Sequence, residues 1–512
     1  MSAVSTIADP PAPKVKTKEP RAEGPRGHST NRWLVLVLVC LAQFMVVLDA
    51  TIVNVALPAI QTDLGFDTAN LQWVINGYTL LFGGFLLLGG RAADLFGRKK
   101  LFLIGIGLFT TSSLLTGLAQ SQETLIIFRA LQGLGAALVS PAALSIITTT
   151  FAEGAERTKA LAAWGAIAAS GSAFGLLLGG FLTETFSWPW IFFVNVPIGI
   201  AALVFSFRLV PESKVEGGNR SFDVFGALTV TSGLIAAVYA IVKASESGWG
   251  SSTTLGFGAL AAVLFTAFVL IERKHPAPLV RLSIFRLRSL AVANGAMLLI
   301  ISGMFAMFFF TTLYVQQILG YTPLEAGLAF LPFTVGIIGG SVLAQRFISK
   351  VGVRPVVIVG TLLATIGLLL MTRTTAAGDY VSEVLPGVIF LSLGMGLTFV
   401  PLTLVATTNV ASEDAGLASG LFNTSQQVGG ALGLAVLSTF AASKTSDVLG
   451  GISGAATTVQ QNEALVSGYH VAYLVGAGLM LGGAALVTLL LRPKDLSHID
   501  EADLAAASTA VA

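Results

Sequence analysis
Apolar stretches of about twenty residues, broken only by short charged or Gly/Pro turns, recur from Arg32 to Arg492. At about 1.5 Å of rise per residue, each makes a helix long enough to cross the hydrocarbon core of a bilayer. They fall near 32–57, 69–91, 99–119, 123–147, 158–182, 189–209, 222–243, 254–272, 289–315, 323–346, 354–373, 382–408, 414–440 and 469–491, which makes fourteen. Composition agrees: 11% of the residues are charged and 54% hydrophobic, against about 25% charged in a soluble protein. The expected fold is all-α and membrane-embedded.

An even number of spans puts both ends on one side, and the basic residues choose which. Of the 29 Lys and Arg, all but Lys243, Arg373, Lys444 and Arg129 fall on one set of loops and tails. The positive-inside rule assigns that set, and with it both termini, to the cytoplasm. One span more or fewer would scatter these charges over both faces. Residues 1–30, rich in Pro, Lys, Glu, Ala and Ser, read as a disordered cytoplasmic tail, and 493–512 as a second one. The first apolar run is too long and too far from the start for a cleaved signal peptide. Cys40 is the one cysteine, so an internal disulfide is excluded. His28, His275, His470 and His498 are scattered, which argues against a metal site, and no phosphate loop ending in Gly-Lys-Ser or Gly-Lys-Thr is present to drive an ATP-powered pump.

The spans divide as six, two and six. Between the second and third stands Gly89-Gly90-Arg91-Ala92-Ala93-Asp94-Leu95-Phe96-Gly97-Arg98-Lys99-Lys100, in which Asp94 lies four residues ahead of Arg98, within ion-pairing reach on a helix. At the matching place in the last six spans, Gly339-Gly340-Ser341-Val342-Leu343-Ala344-Gln345-Arg346 and Gly352-Val353-Arg354 form a degraded echo, the mark of an internal repeat. The expected units are a six-helix bundle over 31–210, a linker with two additional helices over 211–288, and a second six-helix bundle over 289–492.

Asp49 is the most informative single residue, because an ionisable group deep in an apolar span is costly and marks function. It stands roughly 25 Å from the inner end of its span, in the outer half of the membrane. Desolvation disfavours its charged form, which makes it a candidate protonatable carboxyl. Arg129, near the outer end of the fourth span, lies at similar depth and is the natural partner. An always-charged guanidinium favours the ionised acid, so gaining or losing a proton would change this pairing as the protein switches state. The alternatives are a carboxyl satisfied by neighbouring hydroxyls and a structural Arg held by carbonyls and Gln132.

The charged turn at 89–100 resembles the signature loop between the second and third helices of the major facilitator superfamily. Gly171-Ser172-Ala173-Phe174-Gly175-Leu176-Leu177-Leu178-Gly179-Gly180 is similar to the antiporter motif of its exporters, with Leu176 where proline is usual. Trp188-Pro189-Trp190-Ile191-Phe192-Phe193-Val194-Asn195-Val196-Pro197-Ile198-Gly199 resembles the start of the sixth span in fourteen-span drug exporters, with Pro189 replacing a usual arginine, and Gly416 to Gly433 resembles a later helix of the same proteins. The resemblance therefore covers nearly the whole chain and points to the fourteen-span drug:proton antiporter branch.

That resemblance implies a major facilitator fold of two six-helix bundles plus two extra central helices. It implies proton-coupled efflux of a hydrophobic, cationic or neutral drug- or antibiotic-like molecule by alternating access; the Ala- and Gly-heavy composition and short loops point to a bacterial inner membrane. Asp49 and Arg129 would couple the proton; Gly90, Asp94, Gly97 and Arg98 would form a conformational switch, with Asp94 meeting the N-terminus of the helix that begins near Gly416 in the outward-facing state and leaving it on switching. Gly171, Gly175, Gly179 and Gly180 would form a hinge or packing face. Asn54, Gln132, Asn423, Gln426 and Gln427 are candidates for the substrate cavity, or else plain helix–helix glue. Phe305, Phe308, Phe309, Phe310 and Tyr314 either wall that cavity or face lipid, and Asp49, if uncompensated, would attract a cation. The expected partners are a small molecule and membrane lipid, with no nucleic acid; the proton is the coupling ion and no cofactor is expected. An importer on the same fold and a non-transporting sensor are the rival readings.

Overall fold
The computed structural model describes residues 31–151, 154–213, 223–411, 414–452 and 455–496. The tail at 1–30, most of the 211–223 loop and the end of the second tail lie outside them. All regular structure among the described residues is helical, as hydrocarbon demands of a chain that must pair its own backbone groups. In chain order the long helices are α1 (Arg32–Leu64), α2 (Ala69–Phe96), α3 (Arg98–Gly117), α4 (Gln122–Thr150), α5 (Ala155–Thr185), α6 (Trp190–Leu209), α7 (Val224–Ser247), α8 (Ser252–Lys274), α9 (Arg288–Ile318), α10 (Pro323–Val351), α11 (Val353–Met371), α12 (Tyr380–Thr407), α13 (Ala415–Gly450) and α14 (Thr458–Leu490). Thirteen of them are long and apolar enough to cross a membrane; the other, α5, is a helix of 31 residues with an apolar segment at Ala173–Thr185.

Local signals set the ends. Ser121 and Thr124 cap α4 reciprocally, Thr322 and Glu325 do the same for α10 just ahead of Pro323, and Thr457 and Gln460 for α14. That last box is why α14 begins at Thr458 rather than near 469: its polar first turns are helical although they carry no apolar run.

The packing reveals the repeat. In the first six helices α1 lies on α4, α5 and α6, α2 on α4, and α3 on α4 and α6. In the last six α9 lies on α12, α13 and α14, α10 on α12, and α11 on α12 and α14. The two lists coincide when eight is added to each number. The sets meet through α2 against α13 and α5 against α10, again a matched pair, and through α1 against α9. The α7–α8 hairpin breaks the symmetry by packing α7 on both α2 and α13, where Leu80, Leu234, Val238, Val242, Ala431 and Ala435 share one apolar cluster.

The sets touch unevenly. At the face away from the 89–100 turn, one apolar core runs through both, from Leu48, Ile52 and Trp188 to Met297, Phe310 and Tyr473. Gln316 Nε2 donates there to the Val55 carbonyl at 2.8 Å, Gln317 Nε2 to Gln61 Oε1 at 2.7 Å, and the Leu324 amide to Glu184 Oε2 at 3.0 Å. Toward the 89–100 turn Val35, Phe102, Ile146 and Val210 form a core of the first set, and Ile284, Leu290 and Ala418 form another cluster, against which Leu87 of α2 packs. These polar bonds between the sets lie at the far face, and toward the charged one the sets meet through α2 and α13, with Leu87 against Gly420.

Candidate functional site
Asp49 and Arg129 are 0% and 1% exposed, on α1 and α4, and their Oδ2 and Nη1 atoms stand 2.5 Å apart. Burying two charges costs several kcal/mol each unless geometry is good and every remaining donor and acceptor is served. Here most are. Arg129 Nη1 also donates to Gln132 Oε1 at 2.9 Å and Nε to the Val74 carbonyl at 3.1 Å, while the guanidinium lies 4.5 Å above the Tyr78 ring and 5.6 Å from that of Phe192. Asp49 Oδ1 accepts from Gln132 Nε2 at 2.7 Å and from Asn195 Nδ2 at 2.9 Å. Asn195 Nδ2 reaches Ser113 Oγ at 3.1 Å, and that hydroxyl donates to the Phe192 carbonyl at 2.9 Å.

Each element explains one part of this. Arg129 and Gln132 are three residues apart and share a face of α4. The helix of α6 is interrupted at Val194, between Trp190–Phe193 and Asn195–Leu209, which sets Asn195 and the Phe192 carbonyl together against α3. Of this network, sequence reasoning names Asp49, Arg129 and Gln132 as site residues and misses Asn195, Ser113 and Tyr78. The available signal was Asn195, a lone amide in an apolar span. Gln132 serves the ion pair rather than an open cavity. Asp49, neutralised by Arg129 and enclosed, presents no free charge to a cation, which corrects the expectation of an uncompensated acid.

Next to this site α5 lies on α1. A Cβ on Gly175 would overlap Thr51 Oγ1 and come within 3.0 Å of the Leu48 carbonyl, so only hydrogen allows the approach. Gly171 rests on Val47 and Gly179 on Ile52, one turn to either side, whereas Gly180 faces Pro323 and Leu324 of the other set. The glycine face thus backs the helix that carries Asp49 and joins the two sets where they close. α5 runs unbroken through Leu176, the residue standing where the motif proline is usual.

In the charged turn, Arg98 donates to Asp94 Oδ1 from Nη2 at 3.0 Å and from Nε at 3.2 Å. Gly97 has φ +111°, a conformation that side chains rarely adopt, and Glu212 fits against its open face to accept from the Lys99 and Lys100 amides, each at 3.2 Å. An acid at the N-terminus of α3 suits the helix dipole. Gly90 faces Pro141, while it is Gly89 that meets the Ala137 carbonyl of α4 too closely for a Cβ. Asp94 has Arg98 as its ion-pair partner and makes no hydrogen bond or ion pair to α13 among the described residues; the expected contact belongs to the outward-facing state. Asp414 occupies the start of α13, paired with Arg281 at 3.1 Å.

The remaining cavity candidates separate. Asn54 Nδ2 bonds carbonyls of its own helix, Ala50 and Thr51, and Asn423 Nδ2 does likewise with Ser419. Gln426 is half-buried, and Gln427 lies against Gly83 in the seam of α2 and α13. Phe309, Phe310 and Tyr314 are core residues, 0%, 0% and 1% exposed, with Phe310 stacked near Tyr469 and Tyr473, so they neither wall a cavity nor face lipid. Phe305 and Phe308 stay half-buried.

Two matching sets of six helices, joined at one face and with a buried ion pair in one set, in a chain where thirteen of the fourteen long helices can cross a membrane, define a transporter. Residues 39–434 match the Major Facilitator Superfamily, and the chain belongs to that family. It is 41% identical over 475 residues to the puromycin resistance protein pur8 of Streptomyces alboniger, covering 91% of this chain and 92% of that one. It is 42% identical over 428 residues to the cephamycin export protein CmcT of Amycolatopsis lactamdurans, covering 83% and 88%. Among solved structures, a peptide transporter POT bound to sulfate superposes with a TM-score of 0.62 at 15% identity, over 89% of this chain and 95% of the other, a likeness of fold alone. The protein is a multi-pass membrane transporter.

Proposed function
We propose that this chain exports hydrophobic, drug- or antibiotic-like small molecules across the cell membrane in exchange for protons. Relatives similar over most of their length carry resistance and export in their names. The observation that carries the proton coupling is the Asp49 site: a fully buried carboxylate held by Arg129, Gln132 and Asn195, against the glycine face of α5. A group so placed changes its charge only if its partners rearrange, which ties protonation to helix movement.

The basic loops put the charged face and both termini in the cytoplasm, and the structure then corresponds to the inward-facing state. The moving bodies are 31–210 and 289–492, with 211–288 between them. Rocking would part the bonds of Gln316, Gln317 and Glu184 and bring the turn at Gly90, Asp94, Gly97 and Arg98 toward α13. A proton from outside neutralises Asp49, substrate leaves outward, and the sets rock inward with the proton bound; its release into the cytoplasm resets the site.

The test is efflux of a lipophilic fluorescent cation from energised cells, with and without an uncoupler. Export is expected to collapse with the uncoupler and to be absent in Asp49→Asn. Normal export by that variant would remove Asp49 from the coupling.

A further inference from the structure
We infer that Asn195 is the positioning residue for the proton on Asp49: its amide donates to the ionised carboxylate and, turned over, accepts from the O–H of the protonated acid. This rests on the reading of Asp49 as the coupling group.

The argument is an inventory of donors and acceptors. Burying a carboxyl O–H without an acceptor is costly, and every contact Asp49 makes in this structure is with a donor. Arg129 has no acceptor to offer in any orientation. The Oε1 atom of Gln132 is engaged by Arg129 Nη1 at 2.9 Å, and turning that amide would set its NH2 against the guanidinium. Tyr78 lies with its ring under Arg129. Asn195 is 0% exposed and its Oδ1 has no hydrogen-bond partner. Among the described residues of the site, it is the acceptor left unused.

Reversing the Asn195 amide brings that oxygen to Asp49 Oδ1. The proton therefore goes to Oδ1, since Oδ2 faces the guanidinium. Ser113 Oγ, which now accepts from Asn195 Nδ2 at 3.1 Å and donates to the Phe192 carbonyl at 2.9 Å, serves the reversed amide by turning its one proton from that carbonyl to the amide oxygen. Arg129 on α4 and Tyr78 on α2 are the other charged and titratable groups facing the carboxyl; α3 and α6 contribute Ser113, Phe192 and Asn195. Only hydrogen bonds are exchanged: a proton arrives from water, forms the O–H bond on Asp49, and returns to water on the other side.

Threonine and valine at position 195 share a shape and differ by one hydroxyl that both donates and accepts, so a loss from packing alone affects both alike. Infrared difference spectra of the purified protein between acid and neutral pH report the C=O band of a protonated carboxyl. The component of that band lost in Asp49→Asn belongs to Asp49; it is expected displaced in Asn195→Val and close to its natural position in Asn195→Thr. Proton-driven export in vesicles should fall about tenfold in Asn195→Val, the worth of one unmet hydrogen bond, and be largely recovered in Asn195→Thr. Identical bands and rates for the Val and Thr variants overturn the assignment while leaving Asp49 in place. An acid-minus-neutral band identical in the natural chain and in Asp49→Asn overturns the coupling reading and this inference with it. Should both β-branched variants fold poorly, Asn195→Ala and Asn195→Ser make the same comparison.

Discussion

The Asp49–Arg129 pair supports a quantitative prediction, because both groups are withdrawn from water and meet at 2.5 Å. With an effective dielectric of about 20, a pair at that separation attracts by at most about 7 kcal/mol, a gain largely offset by desolvation. Removing one member leaves the other's charge uncompensated and costs about 3–5 kcal/mol. In Asp49→Asn the guanidinium keeps Val74, Gln132 and the Tyr78 ring but loses its counter-charge, and the new NH2 group faces either Arg129 or the donors of Gln132 and Asn195. Arg129→Gln conversely leaves a buried carboxylate. The double variant removes both charges and should be more stable than either single by about 2 kcal/mol or more, a coupling expected of residues in direct contact. Thermal unfolding of the detergent-solubilised protein, followed for all four chains, measures the cycle. Additive effects of the two single changes would refute the claim that this pair is a buried, mutually compensating unit. Export should be absent from all three variants, because the double restores neutrality and not a titrating group.

Two further outcomes are expected. Gly175→Val forces a side chain onto Thr51 and the Leu48 carbonyl, so α5 should lift from α1 at a cost of about 1–3 kcal/mol or more, with lowered folded yield; Gly107→Ala, where a Cβ meets nothing within 4 Å, should be neutral or slightly stabilising in the same yield assay. Gln316→Leu with Gln317→Leu removes two bonds across the closed face, each worth about 1 kcal/mol, which should shift the equilibrium about thirtyfold toward opening there; spin labels at the exposed positions Thr62 and Val381 would report it as a longer distance, and an unchanged distribution would show that these bonds do not hold that face shut.

Much of the architecture is a property of single segments. Hydrocarbon forces each apolar run to satisfy its own backbone, so span number and order follow from run length, and the ends shift only where polar turns such as Thr458 to Glu463 remain helical. The chemistry is legible where burial makes a residue conspicuous: Asp49 and Arg129 stand out because charge in an apolar span is expensive, and their depths along α1 and α4 bring them level. Facing directions are another matter. α9 is apolar all round, so no pattern says that Phe309, Phe310 and Tyr314 point into the core while Phe305 and Phe308 lie nearer its edge.

The sequence by itself determined the class of molecule, the helices, their repeat and the two charges that had to find each other, because each depends on one helix and its solvent. Tertiary structure decided which groups complete the site. Asn195 and Ser113 join Asp49 only through the packing of α6 on both α1 and α3, and Asp94 keeps to Arg98 rather than reaching α13. Rotation about a helix axis and the rocking of one set against the other are collective choices, fixed by how whole helices interlock and written in no single stretch of chain.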